Sequence, residues 1–363
     1  YFAERKLMGE PPTWGSLIHR GFDPENLTHV GLNESPYPPS PRVIEAISAA
    51  AARSNRYPDH ASRLLKESVA RRTGIEESRQ VWGAGASDMI LRSLRIAAHE
   101  DHKVIAPTPS FWGYERQYMA CRTAIRRIPI LADGHMDLDA MLGAVTERTA
   151  LMIIVTPGNP SGSLLDEAGV IRLAREVPDH VLVLVDEVYQ EFSQIVGGPD
   201  VLALMGEHRD GPWINLRSFS KAYSLAGIRV GYGLCSAPEI AASFDLESNN
   251  FSLSNLSLAA AYAAFEDQDY SQDMLGKVTE QRDALSRGLK DLGLDPMPSY
   301  ANFVSVPTQH PNGELLGRLL DLGVVASAWH GEGYEKHMRF TIGTEKDTRA
   351  TLAALDTALK SNH

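Results

Sequence analysis

Two five-residue runs, 151–155 (Leu-Met-Ile-Ile-Val) and 181–185 (Val-Leu-Val-Leu-Val), are apolar at every position instead of alternating. That is the pattern of strands covered on both faces, as in a parallel sheet. Shorter apolar segments at 81–82 and 103–106 predict further strands. The first of these turns, through Gly83 and Gly85, into a helix marked by Met89, Ile90, Leu94 and Ile96. Ser40 followed by Pro41 predicts a capped helix carrying Val43, Ile44 and Ile47 into an alanine tract. Strands and helices alternating in this way predict an α/β fold, a mostly parallel sheet sandwiched by helices.

Past Tyr232 the texture changes. A polar loop at 249–255 precedes an alanine-rich helix at 257–265. Met274, Val278, Leu285, Leu289 and Leu292 then mark one face of a long helix that stops at Gly293. Strands near 303–306 and 339–342 and a last helix through Leu352, Leu355 and Leu359 complete a smaller α+β domain. Residues 1–30, with Pro11, Pro12, Gly15, Gly21 and Pro24, read as an irregular N-terminal arm without a core of its own. The expected division is therefore 1–30 as the arm, 53–256 as the large domain, and 31–52 with 257–363 as the small domain.

Composition narrows the partners. With 363 residues, 43% of them hydrophobic, the chain can bury a large core in two lobes. A net charge of −11 and no basic block argue against nucleic-acid or anionic-membrane surfaces and for small solutes. Cys121 and Cys235 are the only cysteines, too few for a disulfide framework, which fits the cytoplasm. No apolar window reaches the length of a membrane span, and the N-terminus has no charged-then-apolar leader pattern. The chain opens at Tyr1 rather than Met, which leaves room for residues ahead of it.

The chemistry is concentrated where strands end. Gly83-Ala84-Gly85 lets backbone approach an anion closely, so Ala86 and Ser87 at the start of the helix are candidate donors to a phosphate. The run 181–185 delivers Asp186-Glu187-Val188-Tyr189 to the crevice where open α/β sheets bind ligands. Asp-Glu after a buried strand also suits a metal box in an ATP-hydrolysing enzyme, but the required Gly-x-x-x-x-Gly-Lys-[Ser/Thr] loop is absent. His330 and His337 lack further ligands at metal spacing, so exposed histidines and no metal are expected.

The segment 217–231, Arg-Ser-Phe-Ser-Lys-Ala-Tyr-Ser-Leu-Ala-Gly-Ile-Arg-Val-Gly, resembles the lysine segment of fold-type I pyridoxal-phosphate enzymes. Within them it is most similar to the histidinol-phosphate aminotransferase group. The resemblance extends, in the same order along the chain, to the glycine loop, Phe111, the 157–162 loop Pro-Gly-Asn-Pro-Ser-Gly, Asp186, Tyr189 and the closing strand Met338-Arg339-Phe340-Thr341-Ile342-Gly343. It implies a PLP-dependent aminotransferase in which Lys221 forms a Schiff base with the cofactor. Ser218, Ser220 and Arg229 would hold the cofactor phosphate with Ala86 and Ser87, since hydroxyls and a forked guanidinium suit its oxygens. Phe111 would stack on the ring, Asn159 and Tyr189 would meet its phenolate oxygen, and Asp186 would pair with its protonated nitrogen. Tyr57 would reach the phosphate of the neighbouring subunit in a homodimer. Arg339 would grip the substrate carboxylate. Asn33, in a proline-stiffened loop at the mouth of the site, Asn302 and Trp14 complete the substrate side.

Two departures bear on the substrate. Where the group carries a second arginine for a substrate phosphate, the chain reads Gly323-Val324-Val325-Ala326-Ser327, and Trp14 stands in the arm where a tyrosine is usual. Charged hydrogen bonds contribute roughly 1.5–3 kcal/mol each, so this site is expected to favour a non-phosphorylated donor with an apolar or aromatic side chain near Trp14 and Trp329. The predicted reaction moves an amino group from that donor to a 2-oxo acid. A decarboxylase similar to the threonine-phosphate decarboxylases is the rival on the same scaffold. A regulatory module of this fold would need a DNA-binding domain, which this acidic chain lacks.

Overall fold

The computed structural model describes residues 14–58, 60–97 and 103–360, with the side chains of residues 14 and 60–62 outside that description. Seven strands form the central sheet: β1 (Gln80–Gly83), β2 (Lys103–Thr108), β3 (Ala124–Pro129), β4 (Thr149–Val155), β5 (Leu182–Asp186), β6 (Trp213–Ser218) and β7 (Gly231–Cys235). Their spatial order is β1-β7-β6-β5-β4-β2-β3. Only β7 runs against its neighbours, β1 and β6, and the remaining pairs are parallel.

The non-alternating runs are explained by what covers them. Met152, Ile154, Val183 and Val185 pack into one core, and Leu151, Ile153, Leu182 and Leu184 pack into another on the opposite face. Each fully buried aliphatic side chain is worth about 1.5–3 kcal/mol, so both faces demand apolar residues. Edge strand β3 differs, with only Ile128 of its six residues buried, and β6 carries the polar Asn215 and Arg217 in full burial.

Register sets the site. Val155 lies opposite Asp186, and Asp186 opposite Leu216, so the loops leaving β4, β5 and β6 emerge side by side. Helix Ala86–Ala97 follows β1. The long helix is Gln268–Asp291, and Gly293 after it has φ +78, the left-handed turn that glycine tolerates. Beyond it, Ser327–Ala328, His337–Thr341 and Phe303–Pro307 form an antiparallel three-stranded sheet packed by helices Gln268–Asp291 and Asn312–Asp321, and helix Glu345–Lys360 lies against those two helices.

The arm is more regular than its composition suggests. Thr28–His29 pairs in parallel with Val324–Val325, and the Val30 carbonyl accepts a 2.8 Å bond from the Thr341 amide. Leu17 is buried against Leu320 and Val325. Residues 14–30 thus lie on the small domain and lead directly into the 31–41 loop. Ser40 caps helix Pro41–Ala51, its Oγ accepting from the Val43 amide at 3.4 Å.

Candidate active site

A cleft of about 380 Å³ opens over the carboxyl ends of β4, β5 and β6. Its walls bring together Asn33, Ala86, Ser87, Phe111, Asn159, Asp186, Tyr189, Ser218, Ser220, Lys221, Arg229 and Arg339 from segments spread over about three hundred residues. Each is placed by a local cause.

At one end, backbone and guanidinium converge. Gly85 has φ +88, and a Cβ there would sit 2.5 Å from Arg229 Nη2. Gly231 is equally constrained, since its Cβ would meet the Ala86 amide nitrogen at 2.4 Å. Two glycines therefore let β7, the loop after β1 and Arg229 stack closely. Arg229 itself is left-handed (φ 61), which turns its side chain back so that Nη1 donates to Ser220 Oγ at 3.3 Å and to the Ala226 carbonyl at 2.8 Å. Ser218 Oγ accepts from the Ser220 amide at 3.1 Å. Ala86 and Ser87 open the helix Ala86–Ala97, whose first amides have no helical partner and whose dipole favours an anion.

In the middle, Lys221 Nζ donates to the Leu32 carbonyl at 3.2 Å. Surrounding protein, then the Arg339 guanidinium, lower its ammonium to about 8, with Glu34 opposing. The side chain is half-buried and faces the cleft, and at neutral pH a fraction is the free amine.

The far wall is a hydrogen-bonded chain. Arg339 Nη1 donates to Asn159 Oδ1 at 2.6 Å, which fixes the amide so that Nδ2 faces the Tyr189 hydroxyl at 3.3 Å. Asn33 Nδ2 donates to the same hydroxyl at 2.9 Å. Asn33 is held left-handed (φ 54) by Thr341, whose Oγ1 accepts from the Asn33 amide at 2.8 Å and donates to its side chain at 3.1 Å. Burial, above all, pushes the Tyr189 phenol up to about 12, so it remains protonated. Arg339 Nη2 donates to the Gly31 carbonyl at 2.8 Å, while its Nε has no partner in the protein.

Asp186 forms the floor. Tyr114 donates to Asp186 Oδ2 at 2.7 Å and the Val188 amide to Oδ1 at 3.2 Å. Desolvation raises the carboxyl to about 6 against these two bonds.

Several expected residues lie elsewhere. Tyr57 is 76% exposed and stacks on Phe251 with centroids 4.2 Å apart, outside this chain's cleft. Asn302 does not line the cleft either. It donates from Nδ2 to the Asn33 carbonyl at 3.1 Å and supports the loop from behind. Trp14 begins the short helix Trp14–His19, but its side chain lies outside the described residues. Trp329 is corrected: it is 1% exposed, donates to Ser305 Oγ at 2.9 Å and stacks on His337, so it belongs to the small-domain core and not to the substrate wall. His330 and His337 are both half-buried rather than exposed. The residues overlooked in the sequence are Tyr114, Trp112 and Leu32. None of them stands in a recognisable motif, although Tyr114 lies one helical turn after Phe111.

The family model described as Aminotransferase class I and II matches residues 25–355. The chain belongs to this family. Among its relatives, histidinol-phosphate aminotransferase 1 of Mesorhizobium japonicum is 30% identical, with 94% of this chain and 93% of the relative covered. The aromatic amino acid aminotransferase of Cutibacterium acnes is also 30% identical, covering 93% of this chain and 94% of the relative. The crystal structure of histidinol-phosphate aminotransferase from Sinorhizobium meliloti, in complex with pyridoxal-5'-phosphate, superposes with a TM-score of 0.88 at 28% identity, covering 99% of this chain and 98% of that one. The fold is therefore that of the fold-type I enzymes, and the activity is transfer of an amino group between an amino donor and a 2-oxo acid. The aminotransferase names of these relatives favour this over the decarboxylase alternative. No helix among the described residues is long and apolar enough to cross a membrane.

Proposed function

We propose that this aminotransferase binds pyridoxal 5'-phosphate in the cleft and takes its amino group from an amino acid with an apolar or aromatic side chain. When bound, the cofactor supplies an aldehyde to receive the amino group and a ring that withdraws electrons. The donor set fits it. Arg229, Ser218, Ser220 and the first amides of helix Ala86–Ala97 suit its phosphate, Asp186 suits a protonated ring nitrogen, and Asn159 with Tyr189 suits the phenolate oxygen. Phe111 offers a flat face for the ring.

The observation that carries the reading is a lysine amine lowered to about 8 in a cleft lined at either side by Arg229 and Arg339. Two guanidiniums suit two anionic groups, the cofactor phosphate and the substrate carboxylate, with the amine between them. Lys221 Nζ then carries the proton away from the substrate α-carbon. Arg339 orients the substrate, and the Asn159 and Gly31 contacts keep its fork rigid.

Donor choice rests on what surrounds Arg339. Ser327 lies directly opposite it in the antiparallel register, so the place of the missing arginine is a short hydroxyl beside the carboxylate anchor. Leu32, Ile90, Phe111, Trp112, Val155 and Val188 supply an apolar lining. The exposed Tyr57 and Phe251 rings support a homodimer in which Tyr57 serves the neighbouring site. Two free cysteines and the acidic charge support a cytoplasmic enzyme.

The test is the cofactor-loaded protein mixed separately with aromatic, aliphatic and acidic amino acids and with histidinol phosphate, following cofactor absorbance through a single half-reaction. Aromatic donors are expected to react with the highest kcat/KM. Histidinol phosphate as the best donor would overturn the reading of Ser327.

A further inference from the structure

We propose that Tyr114 is a positioning residue for amino transfer, its hydroxyl holding the Asp186 carboxylate ionised and correctly turned toward the ring of the bound cofactor. The inference rests on the part proposed above for Asp186 and adds a residue from a separate element, helix Trp112–Cys121.

The geometry is specific. Tyr114 is 1% exposed, and its hydroxyl stands 2.7 Å from Asp186 Oδ2. Burial, followed by the charge of Asp186 itself, keeps this phenol protonated far above its ordinary range. A carboxylate can only accept, so the hydroxyl must be the donor. The ring cannot swing away: Phe111 meets it edge-on at 6.1 Å and Tyr118 stacks at 5.9 Å. Because Phe111 also lines the cleft, the same helical turn places a flat face and a hydroxyl at fixed spacing.

The carboxylate needs this help. Asp186 lies at the end of β5, buried, with Glu187 beside it adding a second negative charge. The groups that oppose neutralisation are the Tyr114 hydroxyl and the Val188 amide. Tyr189, on the same loop, feels the Asp186 charge in return. The Val188 amide approaches Oδ1 and Tyr114 approaches Oδ2, so each oxygen is tied once, the carboxylate plane is fixed, and lone pairs remain for a ring nitrogen. Without the hydroxyl, desolvation and Glu187 act against a single amide bond, and the group protonates at higher pH.

The experiment compares Tyr114→Phe with the parent protein, first without cofactor and then loaded. In the cofactor-free proteins, difference infrared spectroscopy of the carboxyl band, assigned by its loss in Asp186→Asn, follows the Asp186 titration. Losing a charge-assisted hydrogen bond moves its midpoint upward by about 1–2 pH units. In the loaded enzymes kcat falls roughly tenfold with KM for the donor nearly unchanged, and the acidic limb of the kcat profile moves the same way. In the Asp186→Asn background, Tyr114→Phe has no further effect.

An unmoved infrared midpoint overturns the proposal whatever the rates do. A raised midpoint with unchanged turnover also overturns it, and locates the fault in the part assigned to Asp186 rather than in the hydrogen bond. Should Tyr114→Phe fail to fold, site-specific fluorotyrosine at 114 replaces it. Its more acidic hydroxyl donates more strongly, so the midpoint must fall, and a midpoint that stays or rises sinks the idea.

Discussion

The Lys221 segment separates two cavities of nearly equal size, about 380 Å³ on the side of the cleft and about 400 Å³ behind it. The segment is divided between them: Ser218, Ser220 and Lys221 face the first, and Arg217, Ala222 and Tyr223 face the second. Size therefore does not distinguish a catalytic site, and the more polar lining belongs to the cavity behind the segment. What differs is how the charges are used. Behind the segment, Arg217 is engaged by Glu187, and Glu187 Oε2 also accepts from Asn215 Nδ2 at 2.7 Å, within the protein. In the cleft, Lys221, Arg229 and Arg339 have no carboxylate partner among the described residues and hold only carbonyl, hydroxyl and amide oxygens, while left-handed Asn33 and Arg229 aim their side chains. One cavity is closed chemistry, the other open.

The largest expected effect lies on the open side. Lys221→Ala removes the amine and its proton transfer, so turnover falls by roughly 10²–10⁴ or more. The absorbance band of the lysine-linked cofactor is lost while the aldehyde still binds and keeps its own absorbance, and a variant that kept the former band would assign the lysine's part to another residue.

Next in size is a change on the closed side. Glu187→Ala strands Arg217, and breaking a buried pair costs on the order of 3–5 kcal/mol. Urea unfolding should show that loss, with KM for the amino donor changed less than about twofold in the protein that remains folded, since stability rather than binding is at stake. A large KM change would erase the distinction between the cavities.

The smallest effect sharpens the same contrast. Burial pushes the Glu191 carboxyl from 4.5 up to about 7, with its own backbone amide and then the Arg217 charge opposing. Folded protein then holds a proton that unfolded protein has lost, so this group's contribution to stability falls as pH rises from 4.5 through about 7. Glu191→Gln should gain on the parent across that window, level off above it, and leave amino transfer unaltered. The check is the difference in urea midpoint against pH.

Legibility in the sequence followed the same division. Strands covered on both faces announce themselves, because burial admits only apolar residues at 151–155 and 182–185. Strand β6 does not, since Asn215 and Arg217 interrupt its pattern, and their partner Glu187 lies 28 and 30 residues away. Strand β3 was equally silent, as an edge strand exposes most of its side chains. In the cleft, residues with distinctive chemistry in local motifs were readable, among them Lys221, Asp186, Asn159 and Arg339. Tyr114 was not, because its partner is 72 residues away. Trp329 misled for the opposite reason: an aromatic near a substrate arginine in sequence turned inward to Ser305 and His337.

The tight stack of Gly85, Gly231 and Arg229 has a practical side for anyone diversifying this enzyme toward new donors. Leu32 and Trp112 line the cleft and are the positions to vary, whereas any side chain at 85 or 231 collides with Arg229 or the Ala86 amide. A useful library therefore varies one rim of the cleft and leaves the opposite end untouched.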